Sequence, residues 1–543
     1  MERSRQRAGA NRLWRPVKAN SFRRHPISKN QIKNRNKTNL QKCEIIDWYA
    51  IFILKKDNKR HSLFSIYEYN KTIDFINYLK SQGGTMSFRY FKPAALPEGS
   101  SEPFFSTKAL YQLIIPLIIE QFLSVFVGMV DIMMISSSGE AAVSGISLVD
   151  TINILLINLF SALATGGSVV SAHYLGQKKT EKACLSANQL MLSVAVLSSA
   201  IAAIALFFNR PLLSLIFGHV EENVMESAVT YFYLSALSYP FLGIYNGCAA
   251  LCRSTGNSKI SMKTSLCMNL INIAGNSIFL YIFQMGVAGV GTATLISRIT
   301  AAIIMCIIIL NKKNTIYVDI SLGFMPKFSI IGDILKVGIP TGLENSIFQL
   351  GKILVQSLIA DFGTAAIAAN AVASTVASFE VIPAAAIGLA LVTVTGQAYG
   401  GKRREETVYY VKRLMKMAYL SITVISLLTC AAAPAIIQFY SLSQEASSIA
   451  LSIILYHGIA CILIWPSSFA LPNALRATDN AKYTMIVSIC SMWICRIGLS
   501  YLIGGWMGLG ALGVWIAMSI DWTVRSIFFL WKFRNGKWLA KMH

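Results

Sequence analysis

A chain of 543 residues that is 54% hydrophobic and only 14% charged, with a mean hydropathy of +0.53, is too apolar for a soluble globular domain and reads as a polytopic membrane protein. Its formal net charge of +23 is unevenly placed, because residues 1–85 alone hold 19 basic and 6 acidic residues, a segment that fits a membrane-surface polybasic tail better than a nucleic-acid arm. The ten cysteines are scattered, with no C-x-x-C pair or Cys/His metal spacing, which excludes a disulfide framework and leaves them as small apolar side chains.

Residues 1–85 are basic and lack the apolar periodicity of a packed core. The run Trp48 to Leu54 comes too late for a signal peptide. Gly83-Gly84, just before Met86, can be encoded by a purine-rich ribosome-binding sequence. Met86 is therefore the expected start, with 1–85 a non-native upstream extension, and N-terminal sequencing of the protein made from its own promoter checks this. Residues 86–109 form a short lead-in.

From there the chain is a series of apolar runs. Spans are expected near 110–136, 141–170, 184–208, 225–250, 261–284 and 287–310. A second set follows near 330–360, 365–396, 410–437, 446–475, 482–504 and 510–532. Several exceed the roughly 20 residues a bilayer requires, which allows tilt or kinks at Pro116, Pro240, Pro340, Pro383 and Pro466. Alternate breaks carry the basic residues, from Lys178, Lys179 and Lys182 to Lys402, Arg403 and Arg404, with Arg210 as the exception on the other side. The positive-inside rule then places those loops, the 311–329 linker, the 533–543 tail and both termini in the cytoplasm.

The first span carries Glu120 and Asp131 inside its apolar run, eleven residues apart and so on one helical face. Acids at that depth are costly and face a bundle interior or a water-filled cavity. The design returns with Ile339-Pro340 and Glu344, but Val355 stands where Asp131 would fall. Pro116, Gly139, Gly176 and Glu181 recur at one constant offset as Pro340, Gly363, Gly400 and Glu405. Arg253-x-Thr255-x-Asn257-x-Lys259 recurs as Arg476-x-Thr478-x-Asn480-x-Lys482 with the offset shorter by one, and Gly286 and Gly291 recur as Gly508 and Gly513 with it shorter by two. Six spans per copy give parallel repeats. The expected fold is an all-α membrane protein of twelve transmembrane helices in two pseudo-symmetric six-helix bundles, 110–310 and 330–532.

Two nucleotide-site look-alikes fail. Gly396-x-x-x-x-Gly401-Lys402 has Arg403 where a phosphate-binding loop needs Ser or Thr, and Gly508-x-Gly510-x-x-Gly513 lies between membrane helices. No convergent catalytic set suggests an enzyme, and no cofactor is implied.

The VDIMMISSSGEAAVSG run, SAHYLGQKK with its partner GQAYGGKRR, RSTGNSK with RATDNAK, and NIAGNSIFLYIFQMGVAGVGTATLIS resemble the multidrug and toxic compound extrusion (MATE) family, from Leu110 to Trp531. The resemblance implies two six-helix bundles around a V-shaped cavity and export of organic, often cationic, molecules against H⁺ or Na⁺. It places a bacterial inner-membrane protein, expected as a monomer, with a small-molecule substrate and the lipid bilayer as its partners. The family's cation site falls on Asp131, on Asn272 and Asn276 in the fifth span, and on Thr294 in the sixth. Asn276 stands where many relatives have Asp. Counted from the expected span ends, Asp131, Asn276 and Thr294 share a depth of about 10–12 Å. Such a donor set suits Na⁺, and Asp131 alone could carry a proton.

The residues also admit plainer roles. Asn272 and Asn276 fit interhelical hydrogen bonding equally well. Asp131 could be a structural acid satisfied by Asn272 or by a backbone group. Glu120 and Glu344, being repeated, read as braces. Asp150 and Glu380 would line the cavity or pair with Arg298 or Arg496, and His457 reads as packed. Met129, Met133 and Tyr245 could offer a pliable surface to flat cations, though ordinary packing accounts for such residues. The alternative function is a lipid-linked saccharide flippase, which a cavity lined by several Arg or Lys would favour.

Overall fold

The computed structural model describes residues 103–136, 139–218, 220–319 and 325–542. The chain divides into two units, Met1–Gly83 and Gly84–His543. The first, with the expectations attached to 1–85 and to Met86, lies outside the described residues, as does 86–102.

In chain order the first half holds α1 (Thr107–Ile135), α2 (Glu140–Gly176), α3 (Thr180–Phe207), the short α4 (Asn209–Phe217), α5 (Glu222–Ser254), α6 (Ser258–Ile282) and α7 (Gly286–Ile309). The second half holds α8 (Phe328–Ala360), α9 (Thr364–Glu380), α10 (Ile382–Gly400), α11 (Arg404–Phe439), α12 (Gln444–Arg476), α13 (Ala481–Trp506) and α14 (Gly510–Arg534). Ten of these are long and apolar enough to cross a membrane on those criteria alone. The more polar α5 and α8 complete the twelve, since α9 and α10 are two parts of one span. The apolar pattern predicts that span over 365–396, with Pro383 allowing a kink. The helix is interrupted at the single residue Val381, where Pro383 enters the first turn of α10 and supplies no backbone donor, while hydrogen bonds from the Val381 and Ala385 amides carry the turn across. Pro466 opens a π turn within α12, whereas Pro116, Pro240 and Pro340 lie inside helices that run on past them. α4 was not foreseen, and Arg210 on it pairs with Glu222.

The repeat reaches down to single backbone angles. Gly139 and Gly363 precede α2 and α9 with φ of +99° and +93°, and Lys178 and Lys402 adopt φ of 60° and 58°. Each pair is separated by the repeat offset, so a left-handed turn with the same steric demand occurs once per half.

The bundles meet through one contact made twice: α1 packs on α10 as α8 packs on α2, while α2 and α10, equivalent helices, face each other. His173 Nε2 donates to the Ala477 carbonyl at 2.8 Å, and its counterpart Gln397 Nε2 donates to the Ser254 carbonyl at 2.6 Å. This is the pairing that two parallel repeats related by a twofold axis must make. The lead-in segments follow it too. The Phe105 amide donates to the Tyr410 hydroxyl on α11 at 2.9 Å, and the Lys327 amide donates to Gln189 Oε1 on α3 at 2.7 Å.

All these contacts lie at the end carrying the basic loops. There the helix backbones approach closely enough to exclude side chains. A Cβ on Gly176 would run into the Gln397 carbonyl, and one on Gly400 into the His173 backbone. Gly400→Val is therefore expected to wedge α2 from α10 and destabilise the fold by about 1–3 kcal/mol. A lowered midpoint in thermal unfolding of detergent-purified protein would show it.

Candidate functional site

In the first bundle, α1, α6 and α7 bring Asp131, Asn272, Asn276 and Thr294 together. Asn276 Nδ2 donates to Asp131 Oδ1 at 2.8 Å, and Asn272 Nδ2 donates to Thr294 Oγ1 at 3.2 Å. Asn276 Nδ2 also lies 3.4 Å from Asn272 Oδ1. Asn272 and Asn276 are four apart on α6 and share one face, with Asn276 fully enclosed and Asp131 half-buried. The amide donor on Asp131 is thus Asn276, rather than Asn272. Directly after Asn276 and Ser277 the helix widens into a π turn over Ile278–Ile282, a local irregularity often found beside functional residues. Asn276 Oδ1 is buried with no hydrogen-bond partner among the described residues. An orphaned acceptor beside a carboxylate is what a hard cation or an added proton would satisfy.

Asp150 belongs to the same polar region. The charges acting on Asp131 are Asp150 and Arg298, and Asp150 is hydrogen-bonded by Tyr231. Asn153 Nδ2 donates to Asp150 Oδ1 at 3.1 Å, the Tyr239 hydroxyl donates to Asn153 Oδ1 at 2.8 Å, and Arg298 Nη1 donates to Ser238 Oγ at 2.7 Å. Tyr245, considered above as a ligand surface, is buried in the core, whereas Met133 is 72% exposed.

Glu120 and Glu344 occupy equivalent braces away from this cluster. Glu120 Oε1 is 3.2 Å from Arg253 Nη1 and accepts from Ser261 through Oε2 at 2.8 Å. Glu344 Oε1 is 2.8 Å from Arg476 Nη2 and 3.6 Å from Arg525 Nη2, with Thr484 Oγ1 at 3.4 Å from Oε2. The halves repeat the pair and then diverge, since Arg525 joins only in the second.

Glu380 does not pair with Arg496. Its Oε2 lies 2.8 Å from His457 Nδ1, while Cys461 Sγ is 3.4 Å from His457 Nε2, and all three residues are buried. Trp515 and Trp522 pack edge-to-face with the imidazole, with centroids at 5.1 and 5.6 Å. His457 is thus a packed, buried side chain that is also hydrogen-bonded to Glu380. The ligand atoms of Glu380, His457 and Cys461 lie within 4.8 Å of one another, a grouping able to hold a metal ion. The i,i+4 spacing of His457 and Cys461 was the sequence signal for it. Arg496 instead pairs with Asp521, Nε to Oδ2 at 3.3 Å, and Ser491 Oγ donates to Asp521 Oδ1 at 2.6 Å. Asp521 and Arg525, four apart inside an apolar span, were the overlooked signal of that network.

Comparison with known proteins matches this architecture at several levels. The family profile MatE matches twice, over 116–278 and 340–502, two stretches of equal length set one repeat apart. An uncharacterized transporter of Bacillus subtilis, YisQ, is 28% identical over 465 residues, 83% of this chain and 98% of its own. A probable multidrug resistance protein, NorM of Thermotoga maritima, is 26% identical over 444 residues, covering 79% and 93%. A solved outward-facing multidrug resistance MATE transporter of the MOP superfamily shares the fold with a TM-score of 0.75 at 21% identity, over 80% of this chain and 96% of that one. A MATE structure in complex with MaD3S has a TM-score of 0.75 at 20% identity, over 80% and 97%. With both halves of the chain matched at the same repeat spacing, this protein belongs to the MatE (multidrug and toxic compound extrusion) family of multi-pass membrane transporters.

Proposed function

We propose that the protein is a secondary antiporter that exports organic molecules in exchange for H⁺ or Na⁺ by alternating access, with its basic loops and termini on the cytoplasmic side of a bacterial inner membrane. The observation carrying this reading is the Asp131–Asn276–Asn272–Thr294 constellation in one bundle and Val355 at the equivalent place in the other. A carboxylate beside an orphaned amide oxygen, present at this position in one bundle and replaced by Val355 in the other, supports one such ion site per transporter. Asp131 supplies the carboxylate, the two asparagines supply amide oxygens, and Thr294 supplies a hydroxyl. A bound Na⁺ or proton would neutralise Asp131 and loosen its hydrogen bond to Asn276, altering how α1 packs around Pro116. For that to drive export, the ion must bind the two access states unequally, because only differential binding shifts an equilibrium.

Family membership and the relatives' names favour drug-type export over a saccharide flippase. Reconstituted vesicles test the proposal. Substrate should move against its gradient when ΔpH or a Na⁺ gradient is imposed and should stop when that gradient collapses. Transport that instead requires a nucleotide, or ignores both gradients, overturns it. Asn276→Asp would set two carboxylates at hydrogen-bonding distance, which is stable only with a cation or a shared proton between them. That variant is expected to show stronger Na⁺ dependence in the same vesicles.

A further inference from the structure

The second bundle lacks a counterpart of Asp131 but carries charge of the opposite sign nearby. Lys352 lies three residues before Val355, the Asp131 equivalent, and is exposed. It is eighteen residues, five full helical turns, beyond Ile334, so both point to one side of α8. That side faces the other bundle, because the Ile334 carbonyl and Gly338 sit against Gly166 of α2. Nearer the basic-loop end this face is packed on α2; at Lys352 it is open. An exposed lysine well inside a membrane span, on a face turned toward the partner bundle, opens on water between the bundles, since lipid would make it costly.

Behind Lys352 is a cationic wall. Its Nζ lies 5.5 Å from the centroid of Phe348, a half-buried ring with Arg496 at 4.9 Å and Arg525 at 5.8 Å. Arg525 also stacks on Phe469 at 4.5 Å. Glu344 and Asp521 are the carboxylates here, facing Arg476, Arg496, Arg525 and Lys352, so two positive charges remain in excess. Arg496 and Arg525 are 4% and 3% exposed, and Nε and Nη1 of Arg525 are buried with no hydrogen-bond partner among the described residues. Unanswered donors with surplus charge beneath an exposed lysine form a site for an anionic oxygen group.

We propose that Lys352, backed by Arg496 and Arg525 around Phe348, is a subsite for the carboxylate of the exported molecule, whose basic nitrogen would lie toward Asp131 and Asp150. The proposal rests on the export reading above and narrows it to zwitterionic substrates. Lys352 makes the direct contact, and the two buried guanidinium groups supply the field and hold Phe348.

The test uses the full chain in phosphatidylcholine nanodiscs and two dyes that differ in one group: rhodamine 19, a free carboxylate, and its ethyl ester, rhodamine 6G. Fluorescence anisotropy should show tighter binding of the acid. Lys352→Gln should weaken acid binding about 10- to 100-fold, the worth of a charge-assisted hydrogen bond, and leave the ester unchanged. Lys352→Arg, which preserves charge, should retain most of the preference. Equal affinity for the two dyes, or an equal loss of both in Lys352→Gln, overturns the subsite. Displacement of the acid by phosphatidylglycerol, where phosphatidylcholine has no effect, assigns the site to a lipid headgroup and also overturns it. Vesicle export scored in parallel separates the two readings. If the ester is exported while Lys352→Gln treats both dyes alike, only this inference fails; if neither dye moves under any gradient, the antiport reading beneath it fails.

Discussion

Asp131→Asn is expected to abolish gradient-driven export while leaving the fold and most substrate binding in place. The substitution is nearly isosteric, and the new side chain can still accept from Asn276 Nδ2 through its amide oxygen, so packing among α1, α6 and α7 survives. What is lost is the group able to change charge. The second bundle cannot replace it at the equivalent position, where Val355 stands. Transport driven by ΔpH or a Na⁺ gradient should fall to the level of protein-free vesicles, while thermal stability and dye binding stay near wild type.

Glu344→Ala should produce the largest loss of stability among the acids of the spans. Glu344 is 4% exposed and sits between Arg476 and Arg525, two cations that would be left without it in a dry interior. Removing one partner of a buried ion pair costs about 3–5 kcal/mol, chiefly because the remaining charge is stranded. Here the stranded charge would add to a cluster already in positive excess. The equivalent Glu120→Ala should cost less, because Glu120 neutralises only Arg253, whose side chain is 17% exposed and better hydrated. Thermal unfolding of both purified variants checks the order. A Glu120 variant less stable than the Glu344 variant would contradict the view that Arg525 makes the second brace the more heavily loaded.

Much of the fold was readable in the sequence because its signals are long-range and redundant. Apolar runs of bilayer length, basic residues in alternate breaks, and landmarks recurring at a nearly constant offset all constrain the same topology. The constellation around Asp131 was reached through a family resemblance and a depth argument. Its hydrogen bonds were beyond the sequence, since spacing gives the face and depth of a residue but not which amide reaches which oxygen. The Glu380–His457–Cys461 group was missed because it joins α9 to α12, and helical periodicity within one span cannot show which face meets which neighbour. Lys352 was overlooked beside the absence at Val355, although a lone lysine in an apolar span is as costly as a lone acid.

The most direct test of the central claim compares two modes of transport in one preparation of Asp131→Asn vesicles. Exchange of labelled for unlabelled substrate across the membrane requires binding and the change of access, but no driving ion. Gradient-driven accumulation requires both and coupling as well. The account predicts that Asp131→Asn retains exchange at close to the wild-type rate and shows no accumulation under either gradient. Accumulation at the wild-type rate would contradict it, removing Asp131 from coupling and turning attention to the buried Glu380–His457 pair.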